Sequence, residues 1–227
     1  MEDLWLYLAF LIPPLLIGFA VQHWLKSTVA RELQVPVANG MTGADVARAI
    51  LDRNGLHGVP VESSPGGPLS DHYDPRKRAV FLSEPVGHGS SVASSAIGAH
   101  EVGHALQHEA AYAFFRIRSA LWPVVAFSSQ AWLFILLAGV LFNVLGLIQV
   151  AIVLFAAVVL FQLVTLPVEF DASRRAMAQL AGLGLVTEPE RAGARKVLTA
   201  AAMTYVAAAL AALSQLAYYV IVFLGRR

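Results

Sequence analysis

Three of the seven histidines of this chain lie in one short stretch, "AIGAHEVGHALQHEA", at His100, His104 and His108. Residues four apart share one face of a helix, with their Cβ atoms about 5–6 Å apart. Two imidazole nitrogens at that spacing can both approach one zinc ion to about 2.0–2.1 Å. The HExxH pattern at residues 100–104 therefore predicts that His100 and His104 bind zinc.

The carboxylate of Glu101 directly follows the first histidine of this pattern. From that position on a helix it can reach a water on the metal rather than the metal itself, which is the place of a general base. A purely structural zinc site has no use for such a carboxylate. The pattern therefore favours a hydrolytic site in which Glu101 is catalytic.

The third histidine of the stretch does not fit the same ion. His108 lies eight residues after His100, which is about 12 Å along a straight helix. The longer metzincin motif is also absent, because the positions that it requires to be Gly and His are Gln107 and Ala110. We expect His108 to be solvated or to support a ligand indirectly.

The third ligand must come from another helix, and Glu169 is the best candidate. It is the first charged residue after the run 119–168, and two membrane crossings within that run return the chain to the same face. Two histidines, one glutamate and a water form the open tetrahedral site of a hydrolytic zinc enzyme. Two alternatives stay open: Glu169 pairs with Arg174 or Arg175, or Asp171 is the ligand. Asp171 is better suited to support a liganding histidine.

Hydrolysis of a peptide bond also needs a donor to the tetrahedral oxyanion. The polar candidates are His72 and Tyr73, in the segment before a predicted strand, and Arg174 or Arg175 beside Glu169. Spacing singles out none of them, since turn structure and membrane-flanking charge explain the same residues. The predicted strand itself could pair with an extended peptide or be an ordinary strand of a core sheet.

The composition indicates a membrane protein, with 57% hydrophobic and 14% charged residues. Three runs, 4–25, 119–168 and 197–225, contain no Asp, Glu, Lys or Arg. One membrane span needs about 20 apolar residues, so the outer runs hold one span each and the middle run holds two. We predict a mainly α membrane protein with about four transmembrane helices and a small α+β region between the first and second.

This prediction divides the chain into five parts. They are an N-terminal transmembrane anchor (1–26), an α+β catalytic region with the HExxH helix (27–118), a transmembrane hairpin (119–167), a helix with the third zinc ligand and a connector (168–196), and a C-terminal transmembrane helix (197–227).

Local signals within these parts predict several elements. A capping box at Thr42–Asp45 opens a helix that Gly55 ends, a strand covers 78–83, and the HExxH helix begins near Ser90. Pro167 is expected to interrupt the third span.

Basic residues next to the spans predict the orientation of the protein. Eight of them flank the polar segments: Lys26, Arg31, Arg116, Arg118, Arg174, Arg175, Arg195 and Lys196. The polar region should therefore face the cytoplasm, although Arg226 and Arg227 at the C-terminus argue for the opposite side. The net charge of +1 gives no reason to expect a nucleic acid partner, and the absence of cysteine excludes thiolate ligands.

Three segments together resemble the YugP-like neutral zinc metallopeptidases, a family of bacterial membrane proteins. They are "AIGAHEVGHALQHEA", "SDHYDPRKRAVFLSEPV" and "LPVEFDASRRAMAQL". The resemblance covers nearly the whole chain and implies the fold, zinc and a bacterial inner membrane location. The plan is also similar to that of the HtpX-like membrane proteases, in which an aspartate four residues after the glutamate ligand orients another ligand. Here that position is Ser173, and Asp171 lies two residues after Glu169.

The sequence thus predicts an integral-membrane, gluzincin-like zinc metalloendopeptidase that cleaves near the membrane surface. Glu101 would take a proton from zinc-activated water and deliver it to the leaving amine. Its partners would be a protein or peptide substrate and the lipid bilayer, and a membrane-protein partner or an oligomer is compatible with the sequence. The alternative is a non-catalytic membrane scaffold or partner-binding protein with a structural zinc, against which the intact Glu101 argues.

Overall fold

Four helices are long and apolar enough to cross a membrane in the computed structural model, which describes residues 2–67 and 69–224. The candidate spans are Leu4–Glu32, Ala113–Leu141, Leu145–Gly182 and Glu188–Val222. They confirm the predicted mainly α membrane protein with four spans. Arg226 and Arg227, which argue against the predicted orientation, lie outside the described residues.

The described residues form seven helices and three short strands. In chain order they are α1 (Glu2–Glu32), α2 (Gly43–Arg53), β1 (Val61–Ser63), β2 (His72–Asp74), β3 (Ala79–Leu82), α3 (Glu84–Gly87), α4 (Val92–Glu109), α5 (Ala113–Leu141), α6 (Leu145–Gly182) and α7 (Glu188–Leu224).

These elements divide into two compact units. The membrane unit consists of residues 2–21, Ala113–Pro167 and residues 204–224. The polar unit consists of Gln22–Tyr112 and Val168–Met203. Helix α6 contributes to both units and changes from one to the other directly after Pro167.

The polar unit contains a three-stranded sheet in the order β1-β3-β2. The central strand β3 pairs in parallel with β1 and antiparallel with β2, and its four residues, Ala-Val-Phe-Leu, are all buried. Both edges of β3 are therefore occupied, so the idea that this strand pairs with a substrate peptide is wrong, and the alternative of an ordinary core strand is confirmed.

The segment before β3, for which turn structure is the alternative explanation in the sequence, contains strand β2. A tight turn to β3 creates it. The Asp74 carboxylate accepts hydrogen bonds from the backbone N–H groups of Arg76 and Lys77, at 2.8 and 3.2 Å, and Arg78 takes the left-handed conformation with φ of 51°. This turn brings Tyr73 opposite Val80.

The predicted capping box of α2 is confirmed. The Thr42 hydroxyl accepts from the backbone N–H of Asp45 at 3.1 Å, and the Asp45 carboxylate accepts from that of Thr42 at 2.9 Å. Helix α2 then packs against α4 at two glycines, because a Cβ atom at Gly98 would lie 2.6 Å from the carbonyl oxygen of Gly43.

Pro167 does not interrupt α6, contrary to the prediction. The helix continues through it from Leu145 to Gly182. A proline removes a single N–H donor from a helix, and apolar spans tolerate that loss where neighbouring groups compensate. Continuity matters for the site, because the same helix carries Glu169.

A pair of adjacent prolines, Pro13 and Pro14, lies inside α1. Pro14 has no N–H, so the carbonyl of Phe10 loses its helical donor. The Ser214 hydroxyl of α7 donates to that carbonyl oxygen at 2.7 Å. An unpaired carbonyl is expensive in hydrocarbon, so this bond ties α7 to α1 within the membrane unit.

We predict that Ser214→Ala weakens this tie and destabilises the protein in detergent by about 1 kcal/mol. Thermal unfolding of the purified protein would measure the change. Ser129→Ala is the matched control, because the Ser129 hydroxyl donates to Ala126 within its own helix. Equal unfolding temperatures for the two variants would contradict the assignment.

Candidate metal centre

Helix α4 presents His100 and His104 to the interior of the polar unit. Ser91 caps the start of the helix, and its hydroxyl accepts from the backbone N–H of Ser94 at 3.1 Å. One turn separates the two imidazoles, so their ring centroids lie 4.8 Å apart and their planes are nearly perpendicular, at 82°. Both side chains are largely buried, which suits a site that limits access of bulk water.

Glu169 on α6 completes a cluster with these histidines. Its Oε2 atom lies 3.3 Å from Nε2 of His100 and 3.6 Å from Nε2 of His104. Ligands at about 2.0–2.1 Å from one tetrahedral ion lie about 3.4 Å from each other. The spacing and the two-nitrogen, one-oxygen donor set therefore fit zinc.

A close contact between α4 and α6 allows this convergence. A Cβ atom at Gly103 would lie 2.6 Å from the carbonyl oxygen of Ala172, which shows that the two backbones approach each other next to His104. Sequence reasoning missed Gly103, although it lies inside the HExxH pattern, because its importance depends on a partner that is distant in sequence.

The carboxylate of Glu101 lies beside this cluster and is buried. The backbone N–H of Tyr73 donates a hydrogen bond to it. Burial raises the pKa of Glu101 to about 7; the nearby His100 opposes this rise, and the carboxylates of Glu169 and Asp71 add to it. A carboxyl group that titrates near neutrality is suited both to accept and to return a proton.

Gln107 supports His104 from the side away from Glu169. Its Oε1 atom lies 3.0 Å from Nδ1 of His104. Its Nε2 donates to the carbonyl of Val168 at 2.7 Å and to Oδ2 of Asp171 at 3.0 Å. Sequence reasoning gave Gln107 no role; the available signal was its position three residues after His104, on the same helix face.

Asp171 lies outside the group of three ligands. Its carboxylate accepts from the guanidinium groups of Arg174 and Arg175, the latter at 2.5 Å. It also accepts from Gln107, which contacts His104. Ser173 occupies the position of the orienting aspartate in the HtpX-like proteases, and its hydroxyl lies 3.3 Å from Nδ1 of His100. The Gln107 amide thus contacts Nδ1 of His104, and the Ser173 hydroxyl contacts Nδ1 of His100.

The residues predicted as oxyanion donors have other contacts in the structure. His72 is exposed and stacks on Phe81 with centroids 4.9 Å apart. The hydroxyl of the buried Tyr73 lies 2.9 Å from Nδ1 of His108. His108, which follows the HExxH motif, therefore contacts strand β2. The Arg174 side chain binds Asp171 and is 77% exposed. Their catalytic roles stay predictions.

Residues 7–224 match the protein family described as "Putative neutral zinc metallopeptidase". The chain belongs to this family. It is also 46% identical to "Putative membrane protease YugP" of Bacillus subtilis (strain 168) over 222 residues, which cover 98% of both chains. These matches confirm the resemblance seen in the three sequence segments, and with the four apolar helices they identify a multi-pass membrane protein. No solved structure matches the chain.

We predict that Gly103→Ala separates α4 from α6 and lowers zinc binding. The added methyl group would collide with backbone rather than with a flexible side chain, and overpacking of this kind costs about 1–3 kcal/mol. Zinc content by mass spectrometry and thermal unfolding would measure the two effects. Gly18→Ala in α1 is the control, because nothing lies within 4 Å of its added Cβ. Full zinc content in Gly103→Ala would contradict the proposed constraint.

Proposed function

We propose that this family member is an integral-membrane zinc endopeptidase of the gluzincin-like type. One observation carries the proposal: Nε2 of His100 and Nε2 of His104 converge on Oε2 of Glu169, at 3.3 and 3.6 Å, beside the buried Glu101. The description of the family and the name of the Bacillus relative support it.

Each residue of the site has a distinct task in this proposal. His100, His104 and Glu169 hold the metal, which when bound would polarise a substrate carbonyl and lower the pKa of a water molecule. Glu101 takes a proton from the attacking water and returns it to the leaving amine. The N–H of Tyr73 holds the Glu101 carboxylate in place for both transfers.

Strand β2 is the element best placed to align a peptide. It is an edge strand of the sheet, and it is the strand whose Tyr73 N–H reaches Glu101. An extended peptide that lay along this edge would bring a peptide bond close to Glu101. His72, which is exposed on this strand, and Arg174 are the remaining candidate oxyanion donors, because the Tyr73 hydroxyl contacts His108.

Cleavage next to the membrane surface is favoured over cleavage within the bilayer. Among the described residues, the four candidate spans do not include α4, which carries both histidines. The basic residues that flank the spans favour a cytoplasmic position for this polar unit. The substrates would then be proteins that reach the cytoplasmic surface of the inner membrane.

Glu101→Gln should keep zinc but lower the cleavage of an unfolded, fluorescently labelled protein by about 10²- to 10⁴-fold, because the amide cannot accept the proton. Glu109→Gln is the matched control: Glu109 is exposed on the same helix, where it pairs with Arg78 at 3.2 Å. Full activity of Glu101→Gln would exclude this mechanism. A wild-type protein that binds zinc but cleaves nothing would favour the scaffold alternative.

The orientation can be tested with single cysteines, because the chain contains none. We expect Glu62→Cys in the polar unit to react with a membrane-impermeant maleimide only after spheroplasts are lysed. Phe142 lies between α5 and α6 and is 70% exposed. Phe142→Cys should react in intact spheroplasts. The reverse labelling pattern would place the site on the outer face.

A further inference from the structure

The amide of Gln107 has only one orientation that satisfies its neighbours. Gln107 is fully buried, and two oxygen atoms, the Val168 carbonyl and Oδ2 of Asp171, lie 2.7 and 3.0 Å from one end of the amide. A carbonyl has no hydrogen to donate, and an ionised carboxylate has none either. The NH₂ group must therefore face these two oxygens, and Oε1 must face His104.

This orientation determines which nitrogen of His104 carries the hydrogen. Oε1 of Gln107 can only accept a hydrogen bond, and it lies 3.0 Å from Nδ1 of His104. Nδ1 therefore carries the hydrogen in the neutral imidazole. Nε2 keeps its lone pair, on the atom that lies 3.6 Å from Oε2 of Glu169. A metal ligand needs that lone pair.

We propose that Gln107 is a positioning residue of the metal centre: it holds His104 in the tautomer whose Nε2 can bind the metal. This inference rests on the proposed function only in taking the metal to be zinc. Val168 and Asp171 orient the amide, the amide orients the imidazole, and the imidazole presents Nε2 to the cluster.

Gln107 also lies between His104 and the negative charge of Asp171, because its amide contacts both residues. Asp171 would be a charged acceptor if it touched the imidazole, and such contacts raise the basicity of a ligand. Instead Arg174, Arg175 and Gln107 bind its carboxylate. His100 is likewise contacted on its Nδ1 side by the Ser173 hydroxyl. Each histidine thus has an uncharged partner on its Nδ1 side, and a bound metal would keep more of its positive charge.

The tautomer can be read directly in the metal-free wild-type protein. Nitrogen NMR of the full-length protein in detergent, with ¹⁵N-labelled histidine, distinguishes a protonated Nδ1 from a protonated Nε2. The signals of His104 are assigned by their loss in His104→Ala. We expect hydrogen on Nδ1, whether or not Nε2 also carries one beside Glu169. An Nδ1 without hydrogen would overturn the proposal without the need for any Gln107 variant.

Zinc affinity tests the consequence of the tautomer. Gln107→Met keeps the length of the side chain but removes the carbonyl oxygen and the NH₂ group of the amide. Because His104 then loses its acceptor, we expect about 10- to 100-fold weaker zinc binding in competition with a chelator. Asp171→Asn should change the affinity little, because the Val168 carbonyl still orients the amide. Gln179→Met is the control, since Gln179 contacts Asn54 on the exposed side of α6.

A merely structural role for Gln107 predicts a different result. In that case Gln107→Met lowers the unfolding temperature of the metal-free protein but binds zinc as tightly as the wild type, and this outcome would overturn the proposal. Neither measurement uses peptide cleavage. A protein with the expected tautomer and affinities but no peptidase activity would therefore contradict the proposed function and leave this inference intact.

Discussion

The close approach of α4 and α6 at Gly103 is the constraint on which the candidate metal centre depends. Two histidines on one helix can supply only part of a tetrahedral set, so a second helix must bring a carboxylate to within about 3.4 Å of both Nε2 atoms. The contact between Gly103 and the Ala172 carbonyl permits that distance. Glu169 lies one turn before Ala172 on α6, so its side chain reaches the histidines without distortion of either helix.

Three buried carboxylates next to this contact are stabilised in different ways. Glu169 faces the two imidazoles, Asp171 is bound by two arginines and an amide, and Glu101 receives a backbone N–H from Tyr73. Burial raises the pKa of Glu101 to about 7. At Glu169 and Asp171, positively charged groups and hydrogen bonds instead outweigh the effect of burial and favour the ionised carboxylate. The surroundings thus separate one group suited to proton transfer from two that stay ionised to bind cations.

Local patterns in the sequence predicted the four spans, the α2 capping box and the cluster of His100, His104 and Glu169, because charge-free runs and helical spacing are properties of neighbouring residues. Strand β2 could not be predicted in this way, since its three residues become a strand only by pairing with β3. Ser173 and Gly103 were missed for the same reason: each contacts a residue on another element. Gln107 lies on the same helix as His104, but its orientation depends on Val168 and Asp171 of α6. Continuity of α6 through Pro167 also depends on the surroundings of the helix rather than on the proline itself.

The separation of the ligands along the chain has a consequence for how the protein is made. Glu169 follows His100 by 69 residues, and the whole α5–α6 hairpin lies between them in the sequence. A ribosome that has released only the first two histidines has produced an incomplete ligand set. The metal centre can be assembled only after both arms of the hairpin have been synthesised. The proposed peptidase activity would therefore arise late in biogenesis, when the chain is already anchored in the membrane. A nascent chain truncated before Glu169 would not cleave other proteins.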